Sequence, residues 1–145
     1  MRFMIIRRAD AATETGCLPP PQVVKAIARY HDELRRAGVL VGGDALRPGA
    51  QGARIKTVAG GPRVVNGPFA ETKELIAGFL LLEVPSKEEA IRWASRCPTL
   101  VDDAEIEVRQ VVEAADFPPG LEADLAKFGW TTVSAQAQAK LGAKR

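Results

Sequence analysis

The chain has 145 residues, 46% of them hydrophobic and 26% charged, which describes one ordinary globular domain rather than two domains or a disordered chain. A formal net charge of +2, one histidine, and two cysteines (Cys17 and Cys97) that form no CxxC exclude a zinc site, most His-built metal or triad sites, and a charge-driven case for nucleic acid. No apolar run approaches the roughly 18 residues of a membrane span, and the apolar stretch in MRFMIIRRAD is too short for a signal-peptide core, so a soluble cytoplasmic protein with no metal or cofactor is expected.

The charge is uneven. Residues 1–66 hold 11 Lys+Arg against 5 Asp+Glu, and residues 67–145 hold 9 against 13. Such a split fits a basic patch, two complementary surfaces meeting in a homodimer, or chance.

Arg2 to Arg8 is short, apolar and β-branched, and predicts a first strand. Thr13 to Pro21 predicts a breaker-rich loop, with proline tolerated at the start of the helix that follows. That helix runs from Gln22 to Ala37, with Val23, Ile27, Tyr30 and Leu34 on one face and Gly38 as its stop. Val39 to Val41 opens a second strand that bends or bulges at Gly42-Gly43. Arg54 to Val58 and Arg63 to Val65 flank Gly60-Gly61 as a β-hairpin. Asn66-Gly67-Pro68-Phe69 is a turn by its chemistry.

Ile76 to Val84 is almost continuously apolar, which fits a strand covered on both faces. Ser86 and Glu89 form a capping-box pattern that opens a helix to Arg96, with Ala90, Trp93 and Cys97 facing inward. Glu105 to Val112 alternates, with Ile106, Val108 and Val112 on the buried side. Leu121 to Phe128 predicts a short helix, and the stretch from Thr132 a weakly helical or frayed end.

The order β-α-β-β-β-α-β predicts an α+β fold, a ferredoxin-like sandwich with an inserted β-hairpin. Two helices cover one sheet face. The apolar run of Ile76 to Val84 requires a cover for the other face as well, and a second copy of the sheet is the simplest one.

Asn66 to Glu74 reads NGPFAETKE. It resembles the DGPFAETKE motif of the YCII-related (DGPF-domain) family, with eight of nine positions matching. The likeness continues through ELRRAGVLVGGDALRP before the motif and GFLLLEV, a Trp-Ala helix ending in Cys-Pro, and EVRQV after it, spanning Met1 to Val112. The resemblance implies a YCII-related domain over residues 1–115 and a partly helical C-terminal extension over residues 116–145. It also implies a dimeric α+β barrel in which two ferredoxin-like sheets pack face to face. The family's biochemical role is mostly unassigned. Its members resemble small-molecule enzymes of that architecture, and many are encoded near, or fused to, extracytoplasmic-function sigma factors. Asn66 replaces the family's Asp, so this position cannot titrate but keeps the shape to cap a turn.

Several residues could carry chemistry. Glu71 and Glu74 share a face if the segment forms a helical turn, whereas Glu71 and Lys73 share one if it is extended. A carboxylate facing a ligand, with Lys73 holding an anion and Asn66 and Phe69 beside them, is the functional reading; a solvated charged turn is the bland one. His31 is suited to proton exchange near neutrality and borders the apolar stripe of its helix. Some members of the wider family carry a His–Asp pair, but by register against Gly38 that histidine would fall near Ile27. Asp44, at a strand end, is the acidic residue best placed to act as a partner.

Two readings follow. One is a homodimeric small-molecule-binding protein acting as a cofactor-independent enzyme, with His31, Asp44 and Glu71 as acid–base groups and Asn66, Phe69, Lys73 and Glu74 binding the ligand. The other is a non-catalytic ligand-binding or interaction module linked to sigma-factor-dependent transcription. Direct nucleic-acid binding is disfavoured, because few aromatics leave no stacking platform.

Overall fold

In the computed structural model, which describes residues 1–128, the chain runs β1 (Arg2–Arg8), α1 (Ala11–Glu14), α2 (Pro21–Arg36), β2 (Leu40–Ala45), β3 (Ala53–Val58), β4 (Gly61–Asn66), β5 (Ile76–Glu83), α3 (Lys87–Ala94), β6 (Ile106–Gln110) and α4 (Glu122–Lys127). Single 3-10 turns stand at Gly49–Gln51, Thr72–Glu74 and Ala114–Asp116. The expected frayed end from Thr132 lies outside the described residues.

Four strands form one antiparallel sheet in the order β2-β5-β1-β6, and β3 and β4 form a separate two-stranded ribbon. Because β1 and β2 both run antiparallel to β5, β1-α2-β2 and β5-α3-β6 are two crossover units. This is the ferredoxin-like α+β arrangement, with β3–β4 inserted between β2 and β5.

The register of β1 against β5 pairs Phe3 with Leu82 and Ile5 with Leu80, and Ile5 also lies opposite Val108 of β6. Paired residues point to the same face, so these side chains meet the helices. Phe3, Leu34 and Leu82 are buried to within 1% of completely, and Tyr30, Val84, Ala90 and Ala94 close the core around them. Full burial of each large apolar side chain contributes about 1.5–3 kcal/mol. Tyr30 is buried because its hydroxyl has a partner: it donates to the Trp93 carbonyl at 2.8 Å, tying α2 to α3.

Among the described residues no helix covers the other face. Alternation places Met4 and Ile6 of β1 with Leu81 and Phe79 of β5 there, and all four are only half-buried. Charged residues flank them. Arg8 pairs with Glu107 at 3.0 Å and Glu105 at 3.7 Å, and Arg109 pairs with Glu107 at 3.1 Å. The run of Ile76 to Val84 is thus covered on its helix face and, among the described residues, bare on the other.

Local chemistry explains the ends of the elements. A register shift between Leu40 and Gly42 is the expected bulge in β2. Gly38, at φ +72°, ends α2. The Ser86 hydroxyl accepts from the Glu89 amide at 3.2 Å, but the reciprocal half of the capping box is missing because the Glu89 carboxylate pairs with Arg92. The first part of the expected loop is helical instead. Asp10 and Thr13 form a complete capping box, with both bonds at 2.8 Å, which opens α1. The Thr13 amide, and then Arg7 at 2.8 Å, hold the Asp10 carboxyl below its usual range. β6 stops at Gln110, so Val112 is 54% exposed rather than buried. In α4, Leu125 is buried and Leu121 is exposed.

Tyr30→Phe should lower unfolding free energy by about 0.5–1.5 kcal/mol, because the Trp93 carbonyl loses its donor while packing volume is kept. Leu34→Ala should cost more, about 2–5 kcal/mol, through the cavity it leaves. Urea unfolding of both variants checks the difference.

Candidate functional site

The ends of β1 and β2 and the start of β5 lie together at one end of the sheet, because Arg8 pairs with Ile76 and Ala45 with Gly78. The Ala9 amide donates to the Leu75 carbonyl at 3.0 Å, and the Leu46 amide to Ala77 at 2.7 Å. Residues 46–52 and 67–75 therefore converge there.

Gly67 holds them in contact. Its amide donates to the Gly52 carbonyl at 3.0 Å, the Gly67-Pro68 peptide is cis, and a Cβ on Gly67 would stand 1.9 Å from the Gly49 carbonyl oxygen. No residue other than glycine fits that approach. Gly49 is held in turn by Glu14, whose carboxylate accepts from its amide at 3.0 Å. The space a Gly49 side chain would fill is taken by Phe69 and Leu75, whose nearest carbons would lie 3.1 and 3.3 Å from a Cβ there. So α1, through Glu14, supports the turn that sets the Phe69 ring.

The Arg54 guanidinium of β3 lies 4.1 Å from the centroid of Phe69, a cation–π contact. The 3-10 turn Thr72–Glu74 is closed by the Glu74 amide donating to the Glu71 carbonyl at 3.1 Å. Residues three apart eclipse in such a turn, so Glu71 and Glu74 share a side, as the helical-turn alternative requires. A hydrogen bond shared with Glu74, then charge repulsion from Glu74, holds the Glu71 carboxyl above its ordinary value, against the opposing pull of Arg54. Arg54, Phe69, Glu71 and Glu74 thus form one cluster, with Lys73 in the same turn. Chemically, it offers a carboxyl held above its ordinary value by a second carboxyl, a cation for an anionic group, and one aromatic edge.

The other candidates lie apart. Asn66 is the last residue of β4, exposed, and among the described residues its side chain caps no turn. Asp44 is exposed and pairs with Phe79, so it lies on the helix-free face. His31 is half-buried on α2, on the helix side, with its ring 6.1 Å from that of Tyr30. The sheet separates the two, and among the described residues no hydrogen bond or ion pair joins His31 to Asp44 or Glu71. Burial, and then Arg35, hold His31 below the ordinary histidine value, with Asp32 opposing.

Among the described residues no group of three or more His, Cys, Asp or Glu is placed to hold a metal, and no helix is long and apolar enough to cross a membrane. An open groove of about 190 Å³ between α3 and β6 is lined by Ile91, Ala94, Leu100 and Val108 and holds none of the candidates. The contributions of Arg54, Glu14 and Gly49 carried no signal in the sequence. Each acts through a contact between residues 15 to 35 positions apart.

Replacing Glu74 with Gln removes the charge repulsion and supplies an amide donor that favours the ionised Glu71. The Glu71 carboxyl should then titrate at lower pH than in the unmodified chain, as followed by carboxyl NMR. An unchanged titration would show that the two side chains do not share a proton.

The chain is 35% identical over 71 residues to "Uncharacterized protein R00369" of Rhizobium meliloti (strain 1021), a match that covers 49% of this chain and 55% of that protein. The chain therefore spans about half the length of that curated relative. Among solved structures it is similar to 5-chloro-2-hydroxyhydroquinone dehydrochlorinase (TftG) from Burkholderia phenoliruptrix AC1100 in complex with 2,5-dihydroxybenzoquinone, with a TM-score of 0.45 and 15% identity, covering 81% of this chain and 100% of that one. Residues 1–115 match the YCII-related domain. The chain belongs to the YCII-related family.

Proposed function

We propose that this protein is a cytoplasmic homodimer that binds a small molecule at the NGPFAETKE end of its sheet and moves a proton on it without a cofactor. The observation that carries this reading is the Glu71–Glu74 pair beside Arg54 and Phe69. Of two carboxyls that share a proton, one stays neutral and can donate while its partner is ionised. Glu71 is the acid, Glu74 the neighbour that raises its carboxyl, and Arg54 with Lys73 the anchor for an anionic ligand. The Phe69 ring borders the ligand, and Asn66, at the end of β4, is a more distant contact.

Dimerisation is supported by the bare sheet face. Met4, Ile6, Phe79 and Leu81 form an apolar centre flanked by ion pairs, which suits a self-complementary two-fold contact. Packed so, the face would carry Asp44 at the edge of the dimer interior, where it would act as a second acid. His31 lies on the far side of the sheet from Asp44, so its role as a base requires a different ligand position. The domain assignment that accompanies this reading keeps residues 1–115 as the binding unit and residues 116–145 as an appendage to it.

A second reading is a non-catalytic ligand-binding module acting through a sigma-factor partner. The solvent exposure of Glu71 favours it, since general acids are more often shielded. A panel of small anionic metabolites, read by thermal shift, separates the two. Under the first reading a ligand raises Tm in the wild type, Glu71→Gln removes turnover but keeps part of the shift, and Arg54→Gln loses the shift. A ligand that binds both forms equally and is never converted supports the module. Sedimentation equilibrium should give a dimer, and Leu81→Asp a folded monomer; a monomeric wild type would overturn the homodimer.

A further inference from the structure

The β3–β4 ribbon pairs with no other strand among the described residues. A two-stranded ribbon with water on both faces is marginal by itself. On one face Ile55 and Val64 lie directly opposite each other, 72% and 61% exposed. On the other, Lys56 and Arg63 lie directly opposite each other, both exposed. Like charges in that relation are destabilising. Residues 53–66 contain three basic residues and no acidic one. Arg54 is engaged with Phe69, but among the described residues neither Lys56 nor Arg63 has an ion pair.

The opposite composition stands between α3 and β6. Leu100 and Val101 are 40% and 57% exposed. Asp102 and Asp103 follow, both exposed and without an ion pair among the described residues. An unshielded apolar pair beside unpaired cations thus has its counterpart, an unshielded apolar pair beside unpaired anions, elsewhere on the same chain. No hydrogen bond or ion pair joins the two within one described chain.

We propose that the β3–β4 ribbon is an intersubunit arm that docks on the Leu100–Asp103 stretch of a second copy of this chain. Ile55 and Val64 cover the exposed Leu100 and Val101, while the long stems of Lys56 and Arg63 reach round the edge of the ribbon to Asp102 and Asp103. Two-fold symmetry makes the contact twice per dimer. The inference rests on the homodimer proposed above and adds a second contact to the one at the sheet face. A nucleic acid is the less suitable occupant, because the ribbon has an apolar pair where a stacking aromatic would be needed.

The test is a charge swap with rescue, read by sedimentation equilibrium of the full chain. Lys56→Glu/Arg63→Glu and Asp102→Lys/Asp103→Lys should each raise the dimer dissociation constant by about tenfold. The quadruple swap should bring it back towards the wild-type value. Circular dichroism at high protein concentration confirms that each variant folds. A monomeric wild type overturns the homodimer and the arm together. Dimers of Lys56→Glu/Arg63→Glu as tight as wild type, with Leu81→Asp monomeric, overturn the arm alone. So does a quadruple swap that stays weak, or a wild type that binds a short DNA duplex and loses that binding on Lys56→Glu/Arg63→Glu while its dimer is unaffected.

Discussion

The antiparallel pairing of β1 with β5 is the constraint on which the rest depends. It sits in the middle of the sheet and pairs Phe3 with Leu82 and Ile5 with Leu80. Because side chains alternate, that one register also assigns Met4, Ile6, Phe79 and Leu81 to the opposite face. A slip by one residue would exchange the two sets. The helices would then meet Arg2, Met4 and Ile6, and the buried positions of Phe3 and Leu82 would be lost. The same pairing ends where Ala9 bonds to Leu75, so it also determines where the NGPFAETKE segment leaves the sheet.

That segment is held by backbone geometry more than by side-chain chemistry. Glu14 accepts from Gly49, Gly49 lies against Gly67, and Phe69 fills the space beside Gly49. The two glycines are there because the chains touch, which leaves the functional groups free to be few. Only Arg54, Phe69 and the two glutamates need to be presented, and all four are set by this stack and by the hairpin that delivers Arg54. The match to the family motif at Gly67, Pro68 and Phe69 thus falls on residues that shape the loop, and at Glu71 and Glu74 on the residues proposed to carry the chemistry.

The sequence was most legible where one period or one cap decides. The stripe of Tyr30 and Leu34, the Ser86 cap, the Gly60-Gly61 hairpin and the β-α-β order all read through to the fold. Where a short-range signal competed with another, reading failed. Asp10 and Thr13 carry a capping box, but the prolines that follow suggested a loop throughout. Val112 continued an alternation that the strand does not follow. The site was legible only as a string, because the pairing of Glu71 with Glu74 depends on whether the segment turns or extends, and four residues cannot decide that without the contact to Gly49. The apposition of Arg54 with Phe69 across 15 positions had no local sign at all, and neither did the separation of His31 from Asp44 by the thickness of a sheet.

The net charge of +2 conceals this organisation, and in the proposed homodimer symmetry would make such a distribution tolerable. In a lone chain, Lys56 opposite Arg63 is a cost with no return, and Asp102 beside Asp103 is another. A two-fold operator lets one chain's surplus meet the other's deficit, and every favourable pair is then counted twice. The ion pairs of Arg8 and Arg109 with Glu105 and Glu107 are already satisfied within the chain, so they flank the bare sheet face without directing it. Direction must come from charges left unpaired, and among the described residues the ribbon and the α3–β6 connection place such charges beside exposed apolar pairs. A sheet face supplies area, which is non-directional. In the proposed dimer, opposed charges outside it would fix which way two copies meet.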